Sequence, residues 1–151
     1  MEQKLWIMET ERGVIIIAYK KGEKPRYLVL KRKKNWEGWE TPKGHLENDN
    51  YKETVEIELN EEAGIDPESI TEIQDMDKTV SWEYQQDGKD FRKEYKAFLV
   101  EVGPDTFVDV SENPDDEHEH GFFFVYRDAK KMITHDNNLE LLEQAHQLLG
   151  N

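Results

Sequence analysis

Residues 12–20, RGVIIIAYK, form a β-branched run that predicts a buried strand. KGEKP then turns the chain, and RYLVLKRK over 26–33 predicts a second strand, so the two are expected to form a hairpin. Residues 34–43, KNWEGWETPK, predict a loop carrying two tryptophans. From Tyr51 to Ala63 the pattern turns helical, with Val55, Leu59 and Ala63 on one stripe able to face a sheet. Asn50 is placed to cap that helix, with Glu53 in the capping-box position, and Gly64 suits the left-handed residue that ends it. Residues 70–84 and 91–102 alternate and predict two strands, joined by the Asp-Gly turn of QDGKD. Residues 103–120 are polar and acidic and predict a loop; GFFFVY, 121–126, predicts a strand, and RDAKKMI, 127–133, a short helix. Leu139, Leu142, Ala145, His146 and Leu149 recur at helical spacing in an amphipathic closing helix over 137–149. Strands, helix, strands, helices is the order of a mixed α/β domain with helices packed on a sheet. At 151 residues, one domain spanning 1–151 is expected.

Composition narrows the class. There are 34 Asp and Glu against 20 Lys and Arg, a formal net charge of −14. An acidic surface favours solubility and argues against a nucleic-acid partner, which calls for a basic footprint. The basic groups, Lys20/Lys21/Lys24/Arg26 and Lys31-Arg32-Lys33-Lys34, are short enough to serve a small anionic ligand. There is no cysteine, hence no disulfide framework and no thiolate metal site. The N-terminal MEQKLWIMETERG lacks the basic start and long apolar core of a signal peptide, and Val14–Ala18 is too short to span a bilayer. These features lead to the expectation of a cytoplasmic protein with no membrane partner. They set no oligomeric state.

The candidate chemistry lies on the first helix. Glu58, Glu61 and Glu62 are related by i, i+3 and i+4 and form one patch beside the apolar stripe. Part of the patch lies at the helix C-terminus, where the dipole disfavours anions. One reading is a solvated charged face. The other is a hard-cation site, since carboxylate oxygens suit Mg²⁺, with Mn²⁺ as its substitute, and a divalent ion removes the mutual repulsion.

The surroundings favour the second reading. WETPKGHLE, followed by a helix ending ELNEEAGI, resembles the Nudix hydrolase box, G-x5-E-x7-R-E-U-x-E-E-x-G-U with U apolar. Gly44 is the opening glycine, and Glu58, Leu59, Glu61, Glu62, Gly64 and Ile65 match the helical half. The resemblance covers most of the chain and implies the Nudix α/β/α sandwich with a mixed sheet. It implies Glu58, Glu61 and Glu62 as catalytic metal ligands, with Gly44 helping through its backbone carbonyl. The implied reaction is metal-assisted attack of water on a phosphoanhydride. Two departures stand out. Ile57 falls where the box has an arginine that helps hold the glutamates, and it cannot donate a hydrogen bond. The loop from Gly44 to the helix is also one residue short, so the first box glutamate lands near Asp49 or Asn50. The outcome is a compensated enzyme, a slow one or a binding relic.

Trp39 and PKGHLE resemble the W-x-x-P-K-G-H signature of the diadenosine-polyphosphate and diphosphoinositol-polyphosphate branches. The C-terminal stretch resembles the ending of diadenosine-polyphosphate hydrolases. The expected substrate is therefore a small nucleotide, with a diadenosine polyphosphate favoured. Nucleoside triphosphates, RNA 5′ ends and inositol pyrophosphates are the alternatives, and a non-catalytic nucleotide-sensing module is the rival class. Lys43, Lys31 and Arg32 are the candidate phosphate-binding cations, with Arg92 and Lys93 on a later strand. Trp39 is the substrate-binding aromatic, with Trp36, Trp82, Tyr84 and Phe123 as further stacking candidates. Ala97 falls near the family's base-stacking tyrosine. In the DDEHEH loop, Glu117 or Glu119 is the candidate extra base beside His118 and His120, and His45 is read as structural.

Overall fold

The computed structural model describes residues 8–150; Met1–Ile7, which carry most of the N-terminal stretch read above, and Asn151 lie outside the described residues. Strand β1 (Glu9–Lys20) carries the β-branched run at the centre of the sheet, which is why its apolar residues are buried on both faces. It runs parallel to β6 (Lys89–Val102) from Glu9↔Phe91 to Lys20↔Val102. β5 (Ile70–Gln86) returns antiparallel on the far side of β6, and Asp87-Gly88 makes the turn between them with both φ angles positive. β2 (Arg26–Arg32) pairs antiparallel with β7 (His118–Val125) along its length.

The expected β1–β2 hairpin is paired only at its turn end, Tyr19↔Tyr27 and Lys20↔Arg26. The segment read as a loop contains two short strands that occupy the rest of those edges. β3 (Gly38–Glu40) pairs with the end of β2, and β4 (Lys43–His45) pairs with Gly13–Ile15 of β1. Three residues are too few to show a period, so only the competition for strand edges reveals them. Likewise, β7 begins at His118 rather than 121. There it lies against Lys31 and Arg32, whose cations pair with Glu119 of the strand and Glu117 just before it.

Helices cover both faces. Helix α1 (Tyr51–Ala63) puts Val55, Leu59 and Ala63, all fully buried, against Val14, Ile16, Leu28, Leu30 and Val100. Helices α2 (Tyr126–Met132) and α3 (Asp136–Leu148) cover the other face, over Ile15, Ile17, Tyr27 and Leu99. The result is an α/β/α sandwich on a mixed sheet. On α3 the inward face includes Leu141 and Asn138 as well as Leu142 and Ala145. His146 is half-buried, stacked on Tyr126 and hydrogen-bonded to the Tyr27 hydroxyl at 2.7 Å. No helix among the described residues is long and apolar enough to cross a membrane.

Asn50 caps α1 by accepting the Glu53 backbone N–H at 3.0 Å. The reciprocal half of the capping box is not made. The Asn50 N–H donates to the Glu47 carbonyl, and the Glu53 carboxylate accepts from the Asn48 side chain. The shortened loop is closed by Asn48 and Asp49 in succession at φ 51° and 54°, a conformation that Asn and Asp tolerate best among side-chain-bearing residues. An Asn48→Val variant, β-branched at positive φ, is expected to lose about 1–2 kcal/mol of stability in a denaturant titration.

Candidate active site

The cleft forms where β4 crosses the start of β1 and faces the C-terminal half of α1; its volume is about 330 Å³. Its floor is carboxylate. Glu58 and Glu62 are 8% and 7% exposed, while Glu61 is exposed at the rim. Burial, then the neighbouring charges of Glu61, Glu47, Glu117 and Asp115, push the Glu58 carboxyl up to about 8. Burial and the charges of Glu58, Glu40 and Glu117 raise Glu62 well above the ordinary range, partly opposed by the Lys43 backbone N–H, which donates to it at 3.2 Å.

Gly44 explains how the floor fits under the strand. A Cβ there would overlap the Glu58 carboxylate, so only glycine lets the β4 backbone lie against it. The β4 backbone is itself fixed from behind. Thr41 donates both its N–H and its hydroxyl to Asn138 Oδ1 of α3, each at 3.0 Å, and the Ile16 N–H donates to the Pro42 carbonyl. Asn138 is a supporting residue that the sequence reading missed. Its signal was an asparagine inside an apolar helical face.

The structure sorts the candidates by strand parity. Arg32, Lys43, Gly44, Glu58, Glu61, Glu62 and Glu117 all line the cleft. Lys31 and Trp39 are register partners that project to the face carrying α3, and neither lines it. Trp39 packs there on Phe122 and Phe124. Glu119 is the bulged residue of β7 and pairs with Lys31 at 2.8 Å, away from the carboxylates. His118 is fully buried in the strand, against Glu40, and His120 lies beside Phe122.

Lys93 and Tyr95 of β6 also line the cleft, as do Trp36, His45 and, from the loop after β6, Asn113 and Asp115. Lys43 and Lys93 both lie over the Trp82 ring, at 5.5 and 5.9 Å. Of the other aromatics, Tyr84 stacks on Phe91, Phe123 lies under Lys20 at the far end of the sheet, and Ala97 is fully buried. The loop carboxylate at the site is Glu47; Asp49 makes the turn and Asn50 the cap.

The donor set fits a hard divalent cation: the carboxylates of Glu58, Glu61 and Glu62, which have no ion-pair partner among the described residues, next to a glycine backbone. As the side chains stand, no three carboxylate or imidazole groups among the described residues converge on one point. Unneutralised carboxylates repel, and a cation would have to draw the exposed Glu61 in toward the buried pair.

Solved structures of known proteins share this fold. A C. elegans Ap4A hydrolase, solved as a binary complex, is 25% identical over 93% of this chain and 98% of its own, with a TM-score of 0.73. The dihydroneopterin triphosphate pyrophosphohydrolase of E. coli is 20% identical over 88% and 92%, with a TM-score of 0.68. The Nudix domain of Shewanella oneidensis NrtR, solved with ADP ribose, is 15% identical over 95% and 90%, with a TM-score of 0.70. The last two are likenesses of fold alone. No curated protein matches by sequence. The NUDIX domain family model matches residues 9–145, and the chain belongs to that family.

Proposed function

We propose that this chain, as one domain over 1–151, is a divalent-cation-dependent hydrolase of a phosphoanhydride in a nucleoside-diphosphate-linked compound, with a diadenosine polyphosphate as the favoured substrate. The observation that carries the reading is the buried Glu58–Glu62 pair, with the Glu58 carboxylate against Gly44 and no ion-pair partner for either among the described residues. The signature around Trp39 and PKGHLE, and the likeness to the C. elegans Ap4A hydrolase, support the substrate class. The cysteine-free composition suits a reducing, cytoplasmic setting.

Glu58, Glu61 and Glu62 would hold Mg²⁺ or Mn²⁺, with the Gly44 carbonyl beside them. Bound there, the ion would supply charge to polarise water and to offset the phosphates. Lys43 and Lys93, both over the Trp82 ring, are the proposed cations for a polyphosphate chain, with Trp36 of the cleft as the aromatic face. Carboxylates at the rim, Glu47 and Glu117, are within the group able to accept a proton from water. Net charge disfavours RNA 5′ ends, and the few cations at the cleft disfavour an inositol pyrophosphate. Ile57, half-buried and without a donor, supports the rival reading of a nucleotide-sensing module.

The test is nucleotide and phosphate release from diadenosine tetraphosphate, ATP, dGTP, ADP-ribose and 5′-triphosphorylated RNA, each with Mg²⁺, with Mn²⁺ and with chelator. Cleavage of diadenosine tetraphosphate that chelator abolishes is expected; binding without turnover of any member would favour the sensing module. Lys43→Ala keeps the backbone N–H that Glu62 accepts. It is expected to raise KM about tenfold with little change in kcat, the size of one lost charged hydrogen bond.

A further inference from the structure

Glu58, Glu62 and Glu117 are among the acidic side chains that line this cleft. Glu58 and Glu62 are fixed by their helix. Glu117 arrives on the loop before β7, and its charge bears on both of them. A side chain carried on a loop needs a partner to keep it there.

Arg32 is the cation in position to do so. Its Nη1 donates to Glu117 Oε2 at 3.4 Å and to Glu40 Oε1 at 3.1 Å, and its Nε donates to the Lys34 carbonyl at 2.9 Å. Its side chain is 12% exposed, so the pairing is sheltered from solvent. Glu40 in turn is 2% exposed and receives His118 Nε2 at 3.4 Å on the same oxygen. Among the described residues its second oxygen has no hydrogen-bond partner, and neither does His118 Nδ1. A carboxylate buried this deeply persists only beside cations; burial would raise it, but His118, Lys43 and Arg32 outweigh burial and hold it below the ordinary value. The Glu117 backbone carbonyl is also tied, accepting the Lys33 N–H at 2.9 Å.

We propose that Arg32 is the positioning residue of the cleft: clamped by buried Glu40, which His118 backs, it holds Glu117 against Glu58 and Glu62 as a further carboxylate of the cation site. This rests on the proposed function for its catalytic meaning, but not for its geometry. Ile57 has no donor to offer, so the cation that orders the acids comes instead from β2.

The test is a double-mutant cycle between Arg32→Gln and Glu117→Gln, read as Mn²⁺ affinity by electron paramagnetic resonance and as kcat on whichever substrate the wild type cleaves. Each single variant is expected to weaken Mn²⁺ about tenfold, within the range for groups that orient ligands. In the Glu117→Gln background, Arg32→Gln is expected to change affinity by less than about twofold, because the residue it positions is gone. Arg32→Lys, which keeps the charge but cannot reproduce the fork, is expected to restore part of the affinity. Independent, additive effects of the two substitutions, or an Arg32→Gln variant that binds Mn²⁺ as the wild type does, would overturn the proposal. If the wild type cleaves nothing, the proposed hydrolase fails, and the Mn²⁺ cycle still decides the role of Arg32. If Arg32→Gln leaves Glu40 uncompensated and the chain unfolds, the Arg32→Gln, Glu40→Gln pair replaces it in the cycle.

Discussion

Replacing Glu58 with glutamine is expected to lower kcat on the cleaved substrate by between about a hundredfold and a thousandfold while the fold survives. The change keeps the shape of a buried side chain and removes one oxygen anion from the floor of the cleft. Loss of one such electrostatic contact at a water-excluded site is typically worth about 3–4 kcal/mol in the barrier. Glu62→Gln is expected to act similarly, and it also weakens the acceptor for the Lys43 backbone N–H. Substitution of half-buried Glu56, on the same helix but outside the cleft, serves as the control and is expected to leave kcat within about twofold. Steady-state kinetics with a circular dichroism check on folding measures all three.

The second large effect is on stability, and its sign follows from the same burial. Glu58 has an ordinary value of 4.5 and a folded value of about 8, and Glu62 is raised as well. Between those limits the folded chain keeps protons that the unfolded chain has released. Stability without a cation therefore falls as pH rises through that window and is lowest above about 8. The carboxyls held low, among them Glu40, Asp75 and Glu101, work the other way, and their contribution is lost only as pH falls toward the acid range. A shift of this size corresponds to a few kcal/mol, or roughly 10 °C in Tm for a chain of this length. Thermal melts in chelator are expected to show Tm dropping from pH 5.5 to pH 8.5, and millimolar Mg²⁺ is expected to flatten the profile. Glu58→Gln is expected to melt higher than the wild type at pH 8.5 in chelator, which separates a site under strain from a merely damaged one.

Helix α1 was legible because all its signals are local. The Asn50 cap, the stripe of Val55, Leu59 and Ala63, and Gly64, at φ 64°, lie within fifteen residues of one another. The long strands and the Asp87-Gly88 turn were legible for the same reason. β3 and β4 were not, since their pairing depends on the unused edges of β1 and β2. The same gap hid which way the cations point. Lys31 and Arg32 are neighbours in sequence, but one strand parity sends Arg32 to the cleft and Lys31 to Glu119 on the other side of the sheet. Trp39 and Glu40 divide in the same manner. The motif around Gly44 located the carboxylates of the site. The side chains that surround them, Lys93, Tyr95, Asn113 and Asp115, come from β6 and the following loop, and only the folded sheet brings them near.

The most direct test of the account is a Mn²⁺ titration of the purified protein at pH 7.5, followed by electron paramagnetic resonance, for wild type, Glu58→Gln and Glu62→Gln. Binding by the wild type that Mg²⁺ displaces, weakened at least about tenfold in both variants, is the predicted result. Equal Mn²⁺ binding by all three proteins, or none by the wild type, would contradict the assignment of the buried carboxylates as a cation site.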